Sequence, residues 1–550
     1  MRARSFAAAA AWRFLLKMSL GVAVFFVPST ILLGASCSVV KHGPPSDADK
    51  ALLAADYAKA ESLYKADLAA HPGDLDATSG LVRTLLREQK VIDAADIVKT
   101  ALEAAPKAAD GSPSSAPLLT LLGEVKFRQG APWEVEPIVL KSYKLDPCNP
   151  RTRLLFARLS AVNSRFATAQ QQLALAHQFD PEDSEIRAAW IETLPLAPRI
   201  TEMEAYLSAP GGNDPATLQK MQADLATWKK QSTEPARACR LVSTAAPADI
   251  PFIRLGAHID ARGQEQFNAL GLQVVLNNAS TRLQLGAVDG GLSVYRAVAD
   301  RAGLKRISES QPGDSGGKPT YLAYADSIKI GNLEFKDCTV KVIDAGNPSE
   351  DGDGSIDMDV FSDLLVTIDY PLQKVHLGPL PVRPAEGVAP AVSLRATSLD
   401  NSGAATAAVY DRFVAPEMKD YTQIYRAGGN LILPAALGSS MVKLFVLDLG
   451  ASATTISPGV AMDVAKVHEK DMGGGRKVIV ADEITYNFAH MSQKVNSVFA
   501  SDTSGVSNAL GMDIAGTIGK NIFGLLTMHI DYRDGLIKFE YVSNRTAPSK

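Results

Sequence analysis

The chain has 550 residues, which is too many for one hydrophobic core, so several domains are expected. Hydrophobic residues make up 46% of the chain and charged residues 21%, an ordinary balance for soluble globular domains. The formal net charge is −4 and no long basic run is present, so the composition gives no indication of a nucleic-acid partner.

A basic N-terminal segment, residues 2–17, precedes an apolar stretch that runs from about 18 to 35. This order predicts an export signal over residues 1–37. The small residues before Cys37 resemble the lipobox of bacterial lipoproteins, although Gly34 stands where that family usually has leucine. The resemblance implies lipidation of Cys37 in an exported bacterial protein, periplasmic or on the outer membrane. Residues 38–49 would then be a tether, and the N-terminus the only contact with the membrane.

An uncleaved membrane anchor is the alternative for this N-terminal stretch. Its length is about enough to span a bilayer, although Gly21 and Pro28 weaken such a helix. Export of the remaining chain is expected under either interpretation.

Cysteine and histidine spacing predicts neither a disulfide framework nor a metal site. The four cysteines lie far apart and match no zinc or CxxC spacing: Cys37, Cys148, Cys239 and Cys338. The eight histidines are scattered, and none forms an HExxH motif or another ligand pair. We therefore expect no metal ion and no other cofactor.

Residues 50–230 are rich in Ala, Leu, Lys and Glu, with apolar residues at helical spacing. Prolines at 72, 106, 147 and 181 follow successive helices at intervals of 34, 41 and 34 residues. This period resembles the tetratricopeptide repeat (TPR) family, and the segment 110–115 supplies the insertion in the longer interval. Small residues fall twelve positions before three of these prolines, where two helices must touch: Ala60, Ala94 and Ala169.

The TPR resemblance implies an α-solenoid whose concave groove holds a peptide or a partner protein. The alternative is a helical spacer whose groove is filled by its own chain. If the groove is the working surface of the whole molecule, the protein is an interaction scaffold.

From residue 251 onward, short β-branched strands and Gly or Asn turns replace the helical pattern. Two near copies stand out, LQLGA at 283–287 and LDLGA at 447–451, with an offset of 448 − 284 = 164. A Gly-rich landmark at 354 and an Ile-Asp-Tyr landmark at 368–370 both recur 162 residues later. Two landmarks at one offset indicate a duplicated domain, with lobes at 251–380 and 415–545 and a proline-rich linker at 381–414.

The segment around Asp448 resembles the Asp-Thr/Ser-Gly-Ala turn of retropepsin-like aspartic peptidases, and Gly519 matches the glycine of that family's crossing loop. The predicted fold is therefore multidomain α plus β, with a TPR α-solenoid followed by a mainly-β, two-lobed pepsin/retropepsin-like module. The resemblance implies a catalytic aspartate at Asp448 and a flap hinge in the second lobe. The residues implied to contact substrate are Gly286, Ala287, Gly450, Ala451 and Gly474.

The first lobe departs from the peptidase pattern. Gln284 occupies the expected aspartate position and Asp357 replaces the crossing-loop glycine, while in the second lobe Leu449 replaces the Thr/Ser. Glutamine cannot exchange a proton near neutral pH, so we expect peptide binding between the lobes with weak or absent cleavage. A slipped register that pairs Asp289 with Asp448 would restore an active aspartic endopeptidase, which is the alternative.

Overall fold

The computed structural model describes residues 37–541, with gaps at 109–110, 112, 210–212, 234–238, 244–246, 260–262, 264, 287–289, 311–317, 385–410, 439–440, 473–474 and 476. The predicted apolar export segment and most of the predicted linker therefore lie outside the described residues. From Val39 onward the chain forms one compact unit. Within the described residues, no helix is both long enough and apolar enough to cross a bilayer.

Helices in contacting pairs follow the tether. They are α1 (Asp47–Leu53), α2 (Tyr57–Ala70), α3 (Leu75–Arg87), α4 (Val91–Ala104), α5 (Ala116–Arg128), α6 (Pro132–Leu145), α7 (Pro150–Val162), α8 (Phe166–Phe179), α9 (Ser184–Ile191), α10 (Leu196–Ser208) and α11 (Pro215–Thr233). The four periodic prolines come just after α2, α4, α6 and α8, where the sequence places the helix ends.

Small residues let these helices approach closely. Ala60 and Ala94 are completely buried, and Ala169 is nearly so. On α5, a Cβ at Gly123 would lie only 2.5 Å from Cδ2 of Leu155 on α7. Such contacts require small side chains, so the helical region packs as the repeat pattern predicts.

The β module has two lobes. Lobe 1 contains β1 (Arg240–Leu241), β2 (Ala248–Pro251), β3 (Ile253–Leu255), β4 (His258–Ile259), β5 (Glu265–Gln266), β6 (Ala269–Leu276), β7 (Ala279–Leu285), β8 (Leu292–Tyr295), α12 (Arg296–Arg301), β9 (Lys305–Arg306), β10 (Thr320–Ile330), β11 (Leu333–Ile343), β12 (Gly354–Ile356), a 3-10 turn (Met358–Phe361), β13 (Leu365–Asp369) and β14 (Lys374–Gly378).

Lobe 2 repeats this order with one additional helix, α14. It contains a 3-10 turn (Pro416–Met418), β15 (Thr422–Gln423), β16 (Tyr425–Ala427), β17 (Asn430–Leu437), β18 (Met441–Leu447), β19 (Thr455–Ile456), α13 (Pro458–Val464), β20 (Val467–Asp471), β21 (Lys477–Phe488), β22 (Met491–Ala500), α14 (Ser504–Leu510), β23 (Gly516–Ile518), α15 (Lys520–Phe523), β24 (Leu526–Asp531) and β25 (Leu536–Tyr541). The predicted fold class, a helical TPR-like region followed by two β lobes, is confirmed.

A six-stranded sheet in the order β15-β25-β24-β13-β14-β2 joins the two lobes. At its centre β13 pairs antiparallel with β24, and Thr367 lies opposite His529, where 529 − 367 = 162. Oγ1 of Thr367 and Nδ1 of His529 are 2.9 Å apart and share a hydrogen bond. Each residue is thus the other's counterpart, so the pseudo-twofold axis passes between them.

The same offset of 162 holds in the strands that lead to the candidate turns. β7 runs parallel to β12 with Leu283 opposite Gly354. β18 runs parallel to β23 with Phe445 opposite Gly516. Both differences, 445 − 283 and 516 − 354, equal 162.

The assignment of Gln284 as the counterpart of Asp448 is therefore wrong. At the observed offset Gln284 corresponds to Val446, because 446 − 284 = 162. The similar segments at 283–287 and 447–451 are 164 residues apart, whereas equivalent strand positions are 162 apart. The sequence similarity is therefore two residues out of register with the strand pairing. A two-residue shift leaves every side chain on the same face of a strand, so the alternation in the sequence could not reveal it.

The helical region packs against lobe 2 through a buried apolar cluster. Phe127, Val139 and Leu155 from the helices share this cluster with Leu444 and Val446 from β18. Two side chains of α14, the helix that lobe 1 lacks, also pack against it: Val506 and Leu510. Burial of this apolar surface holds the solenoid on the second lobe.

Polar contacts support the same interface. The carboxylate of Asp411 accepts hydrogen bonds from the backbone amides of Ala167 and Thr168, at 3.0 and 3.1 Å. Both amides lie in the first turn of α8, where a carboxylate caps free donors and offsets the helix dipole. The amide of Asp513 donates to the carbonyl of Arg128 at 2.9 Å. The helical region is thus fixed to lobe 2 rather than suspended on a linker.

The prediction that the chain has no disulfide framework is wrong. A disulfide joins Cys239 to Cys338, which are 99 residues apart and meet because β1 pairs with β11. Spacing rules fail here because the pairing of distant strands, not a sequence motif, brings the sulfurs together. Cys37 and Cys148 are disulfide-bonded as well. A disulfide and a thioether at Cys37 exclude each other, because both use the same sulfur; the lipidation of Cys37 stays a prediction.

Reciprocal substitutions at Val446 and Gln284 test the docking interface. Val446 is 7% exposed beneath the helices, whereas its counterpart Gln284 is partly exposed on lobe 1. Val446→Gln buries an amide in an apolar cluster, and we expect it to lower the free energy of unfolding by about 2–4 kcal/mol. Gln284→Val should change it by no more than about 0.5 kcal/mol. Urea unfolding of both variants measures the difference; equal losses would contradict the assignment of this interface.

Candidate functional site

Asp448 begins the central turn of lobe 2, immediately after β18. Its Oδ1 accepts hydrogen bonds from the backbone amides of Gly450 at 2.9 Å and Ala451 at 3.1 Å. The amide of Asp448 itself donates to the carbonyl of Ile518 at 3.0 Å. The carboxylate is therefore fixed by its own turn, as the sequence predicts for this motif.

Gly286 occupies the position in lobe 1 that corresponds to Asp448. Its amide donates to the carbonyl of Ile356 at 3.0 Å, which matches the bond from Asp448 to Ile518, and 448 − 286 and 518 − 356 both equal 162. The residue that faces Asp448 across the pseudo-twofold axis is therefore a glycine. It contributes no carboxylate, amide or hydroxyl side chain to the site.

The two central turns touch through their backbones. A Cβ at Gly286 would lie 2.8 Å from Oδ1 of Asp448 and 2.7 Å from the amide nitrogen of Gly450. Gly286 also has a φ of +84°, a conformation that favours glycine. A Cβ at Gly450 would lie 2.0 Å from the carbonyl oxygen of Leu285. Two of the three predicted substrate-contact glycines, Gly286 and Gly450, are therefore required where the lobes meet.

Other predicted site residues fall outside the described part of the chain. Asp289 and Ala287 lie in the gap at 287–289, and Gly474 lies between β20 and β21 in the gap at 473–474. The pairing of Asp289 with Asp448 therefore stays a prediction. At the observed offset Asp289 corresponds to Ala451, since 451 − 289 = 162.

The crossing loops beneath the turns differ between the lobes. In lobe 2 there is no space for a side chain at Gly519, because a Cβ there would lie 2.6 Å from the carbonyl oxygen of Ala453. In lobe 1 the same position carries Asp357, whose side chain accepts a hydrogen bond from the amide of Asp359. Lobe 1 thus holds a side chain at the position where lobe 2 has no space for one.

In each lobe, the residue two positions after Asp357 or Gly519 supports the turn with a polar side chain. Oδ1 of Asp359 accepts from the amide of Gly291 at 2.8 Å. Oδ1 of Asn521 accepts from the amide of Thr454 at 2.9 Å and from its hydroxyl at 2.7 Å. No motif in the sequence marks this pair, although 521 − 359 = 162 repeats the offset of the landmarks.

Tyr370 connects lobe 1 to the turn that carries Asp448. Its hydroxyl donates a hydrogen bond to the carbonyl of Leu449 at 3.1 Å. Its ring is buried, with ring centroids 5.0 Å from Phe523 and 6.0 Å from Phe252. Leu449 stands where the resembled family has a Thr or Ser hydroxyl, so a hydroxyl from the opposite lobe supports the turn here.

The counterpart of Tyr370 in lobe 2 is Tyr532, the last residue of the second Ile-Asp-Tyr landmark. It is completely buried, and its hydroxyl has no hydrogen-bond partner among the described residues. Burial raises the pKa of both phenols well above the usual value, and nearby carboxylates raise it further: Asp448 and Asp357 for Tyr370, and Asp357 and Asp359 for Tyr532. Both phenols therefore stay neutral; the hydroxyl of Tyr370 donates to Leu449, whereas that of Tyr532 has no acceptor among the described residues.

No metal centre is indicated. In the part of the chain that the structure describes, no group of three or more His, Cys, Asp or Glu residues is placed to hold a metal ion. An open polar depression of about 830 Å³ lies on lobe 1, where Arg282, Arg301 and Asp353 are among its lining residues. None of the predicted site residues lines it, so the contact between the turns defines the candidate site.

Among solved structures, the likenesses fall into the two predicted classes. A TPR protein of Thermus thermophilus, TTC0263, is 20% identical with a TM-score of 0.25, over 32% of this chain and 90% of that chain. YrrB, described as a TPR protein with an unusual peptide-binding site, is 16% identical with a TM-score of 0.18, over 32% and 82%. A retropepsin-like aspartic protease from Rickettsia conorii is 12% identical with a TM-score of 0.17, over 26% and 94%.

No protein-family model matches the chain, and no curated protein matches it. The low TM-scores do not by themselves establish a fold. The architecture rests on the chain's own contacts: helix pairs at the repeat spacing, two lobes at a constant offset and a shared central sheet.

Substitution of Gly450 tests the contact between the turns. Gly450→Ala places a methyl group against the backbone of Leu285, and we expect it to lower the free energy of unfolding by at least about 3 kcal/mol. Gly459→Ala is the matched control, because a Cβ there meets nothing within 4 Å and the residue lies in α13. The control should be neutral or slightly stabilising, since alanine favours a helix. A tolerated Gly450→Ala variant in chemical denaturation would refute the contact.

Removal of the two tyrosine hydroxyls tests the brace. Tyr370→Phe leaves the carbonyl of Leu449 without its donor, and we expect a loss of about 1–3 kcal/mol in unfolding free energy. Tyr532→Phe removes a hydroxyl without a described partner, so it should be neutral or stabilising. Both variants lose one hydroxyl oxygen from a buried tyrosine. A difference between their thermal unfolding therefore reports the hydrogen bond to Leu449 rather than the packing of the ring. Equal destabilisation would contradict it.

Proposed function

We propose that this protein is an exported peptide receptor whose β module resembles a peptidase but does not cleave peptides. Peptide segments would bind between the lobes near Asp448, and a second segment or a partner protein would bind the groove of the TPR-like region. The observation that carries this proposal is Gly286, which faces Asp448 without a side chain.

The chemistry of aspartic peptidases explains why one carboxylate is insufficient. Two carboxyl groups at contact share one proton, so one acts as the acid while the other activates water as the base. Loss of a positioned acid or base reduces a rate by about 10²–10⁴, and groups that act as a unit lose more. Asp448 alone retains a fixed hydrogen-bond acceptor, which suits binding of a peptide amide rather than its hydrolysis.

Export is supported by two features of the chain. The N-terminal basic and apolar segments have the order of an export signal. The described cysteines are all disulfide-bonded, and such bonds persist in oxidising compartments such as the bacterial periplasm. These features support our proposal of a periplasmic or outer-membrane location.

Incubation with peptides tests the absence of cleavage. The full chain and its Asp448→Asn variant are mixed with a diverse peptide pool at several values between about pH 3 and pH 8, the range in which carboxyl dyads act. We expect no new fragments by mass spectrometry from either protein. Peptides should still be retained by the wild-type chain in an equilibrium binding assay.

Cleavage by the wild-type chain that is lost in Asp448→Asn would overturn this proposal. Loss of the same cleavage in Asp289→Asn would then identify the second carboxylate of an active endopeptidase. Fragments produced equally by both chains would point to a contaminating protease, and a repeat with independently purified protein would resolve it.

A further inference from the structure

Five arginines form one cluster on the TPR-like region. Four of them follow the repeat: Arg83 and Glu124 are 41 residues apart and Glu124 and Arg158 are 34 apart. Arg87 and Arg128 are likewise 41 apart. The fifth, Arg151, joins the others through the carboxylate of Glu185. Because equivalent positions of stacked helices lie on one face, these side chains line a common surface. The arginine cluster consists of Arg83, Arg87, Arg128, Arg151 and Arg158.

Two carboxylates form ion pairs with three of these guanidinium groups. Glu185 lies 2.5 Å from Arg151, 2.5 Å from Arg158 and 3.6 Å from Arg87. Asp183 contacts Arg151 at 2.7 Å. Shared carboxylates of this kind hold the arginines in place but do not neutralise all of their charge.

The other two arginines have no ion pair among the described residues. The Nε atoms of Arg83 and Arg128 are buried and lack an acceptor there, and Oε1 of the buried Glu124 also lacks a partner. Burial and neighbouring arginines lower the pKa of both side chains: Arg151 acts on Arg83, and Arg158 and Arg87 act on Arg128. Nη2 of Arg128 donates to Oε1 of Gln89, which is neutral, and three acidic residues act on the cluster: Glu124, Asp183 and Glu185. Five guanidinium groups against three carboxylates leave the cluster with an excess of positive charge.

The surface is open to a ligand. The side chains of Arg87 and Arg158 are 41% and 37% exposed. The cluster extends from α3 through α5 to α7, which is too long for one small anion but suits a chain that carries several. Guanidinium groups bind carboxylates through paired hydrogen bonds.

We propose that this arginine cluster binds an acidic peptide segment, with its carboxylate side chains placed between Arg83, Arg87 and Arg128. The proposal rests on the peptide-binding role proposed for the TPR-like groove and names the chemistry of its ligand. Binding is independent of Asp448, so the β lobes and the solenoid recognise different segments.

A charge-matched pair of peptides provides the test on the full chain. One labelled probe is a short peptide with alternating Glu and Ser, and the other has Gln in place of each Glu. We expect the Glu peptide to bind at least about tenfold more tightly in fluorescence anisotropy, and to weaken as salt is raised. Arg83→Gln should weaken the Glu peptide at least about tenfold and leave the Gln peptide unchanged.

Lys126→Gln is the matched control, because it removes one positive charge from α5 at a residue paired with Glu134 outside the cluster. It should leave the affinity of the Glu peptide within about twofold. If Arg83→Gln fails to fold by circular dichroism, Arg87→Gln replaces it, since that side chain is 41% exposed. Asp448→Asn should bind the Glu peptide like the wild type.

Equal binding of both peptides would overturn the acidic preference while leaving peptide binding by the groove intact. Absence of binding by either probe would overturn the proposal, and so would binding that survives both arginine variants. Loss of Glu-peptide binding in Asp448→Asn would place the acidic segment between the lobes instead.

Discussion

The close backbone contact between Gly286 and Gly450 governs the rest of the β module. It brings the central turns of the two lobes so near that neither position has space for a Cβ. The same closeness would place two carboxylates together in a peptidase, but here one partner must remain glycine. Asp448 is therefore the one carboxylate that the described residues of these two turns place at the contact.

The two lobes have diverged around this contact. Lobe 2 contributes Asp448 and the turn amides that hold it, whereas lobe 1 contributes Tyr370, whose hydroxyl reaches across to Leu449. Lobe 1 also carries Asp357 where lobe 2 has Gly519. Lobe 1 therefore supports the turn of lobe 2 rather than repeating it.

Much of this architecture could be predicted from sequence. The proline intervals indicated the helix pairs, and the two landmarks at offset 162 indicated the duplicated lobes. The partner of Asp448 was misassigned because LQLGA and LDLGA look alike but differ by two residues in register, a shift that side-chain alternation cannot detect. The Cys239–Cys338 bond and the hydrogen bond from Tyr370 to Leu449 cannot be predicted from sequence for a related reason. Both depend on segments that meet only in the folded chain.

The helical region is attached to the β module in two different places. Its last helix leads through β1 into lobe 1, where the Cys239–Cys338 bond fastens the entering chain to β11. Its middle helices rest on lobe 2, against β18 and α14. The helical region is therefore held by both lobes at once. A movement of one lobe relative to the other would disturb either its packing against β18 and α14 or its disulfide-fixed entry into β1.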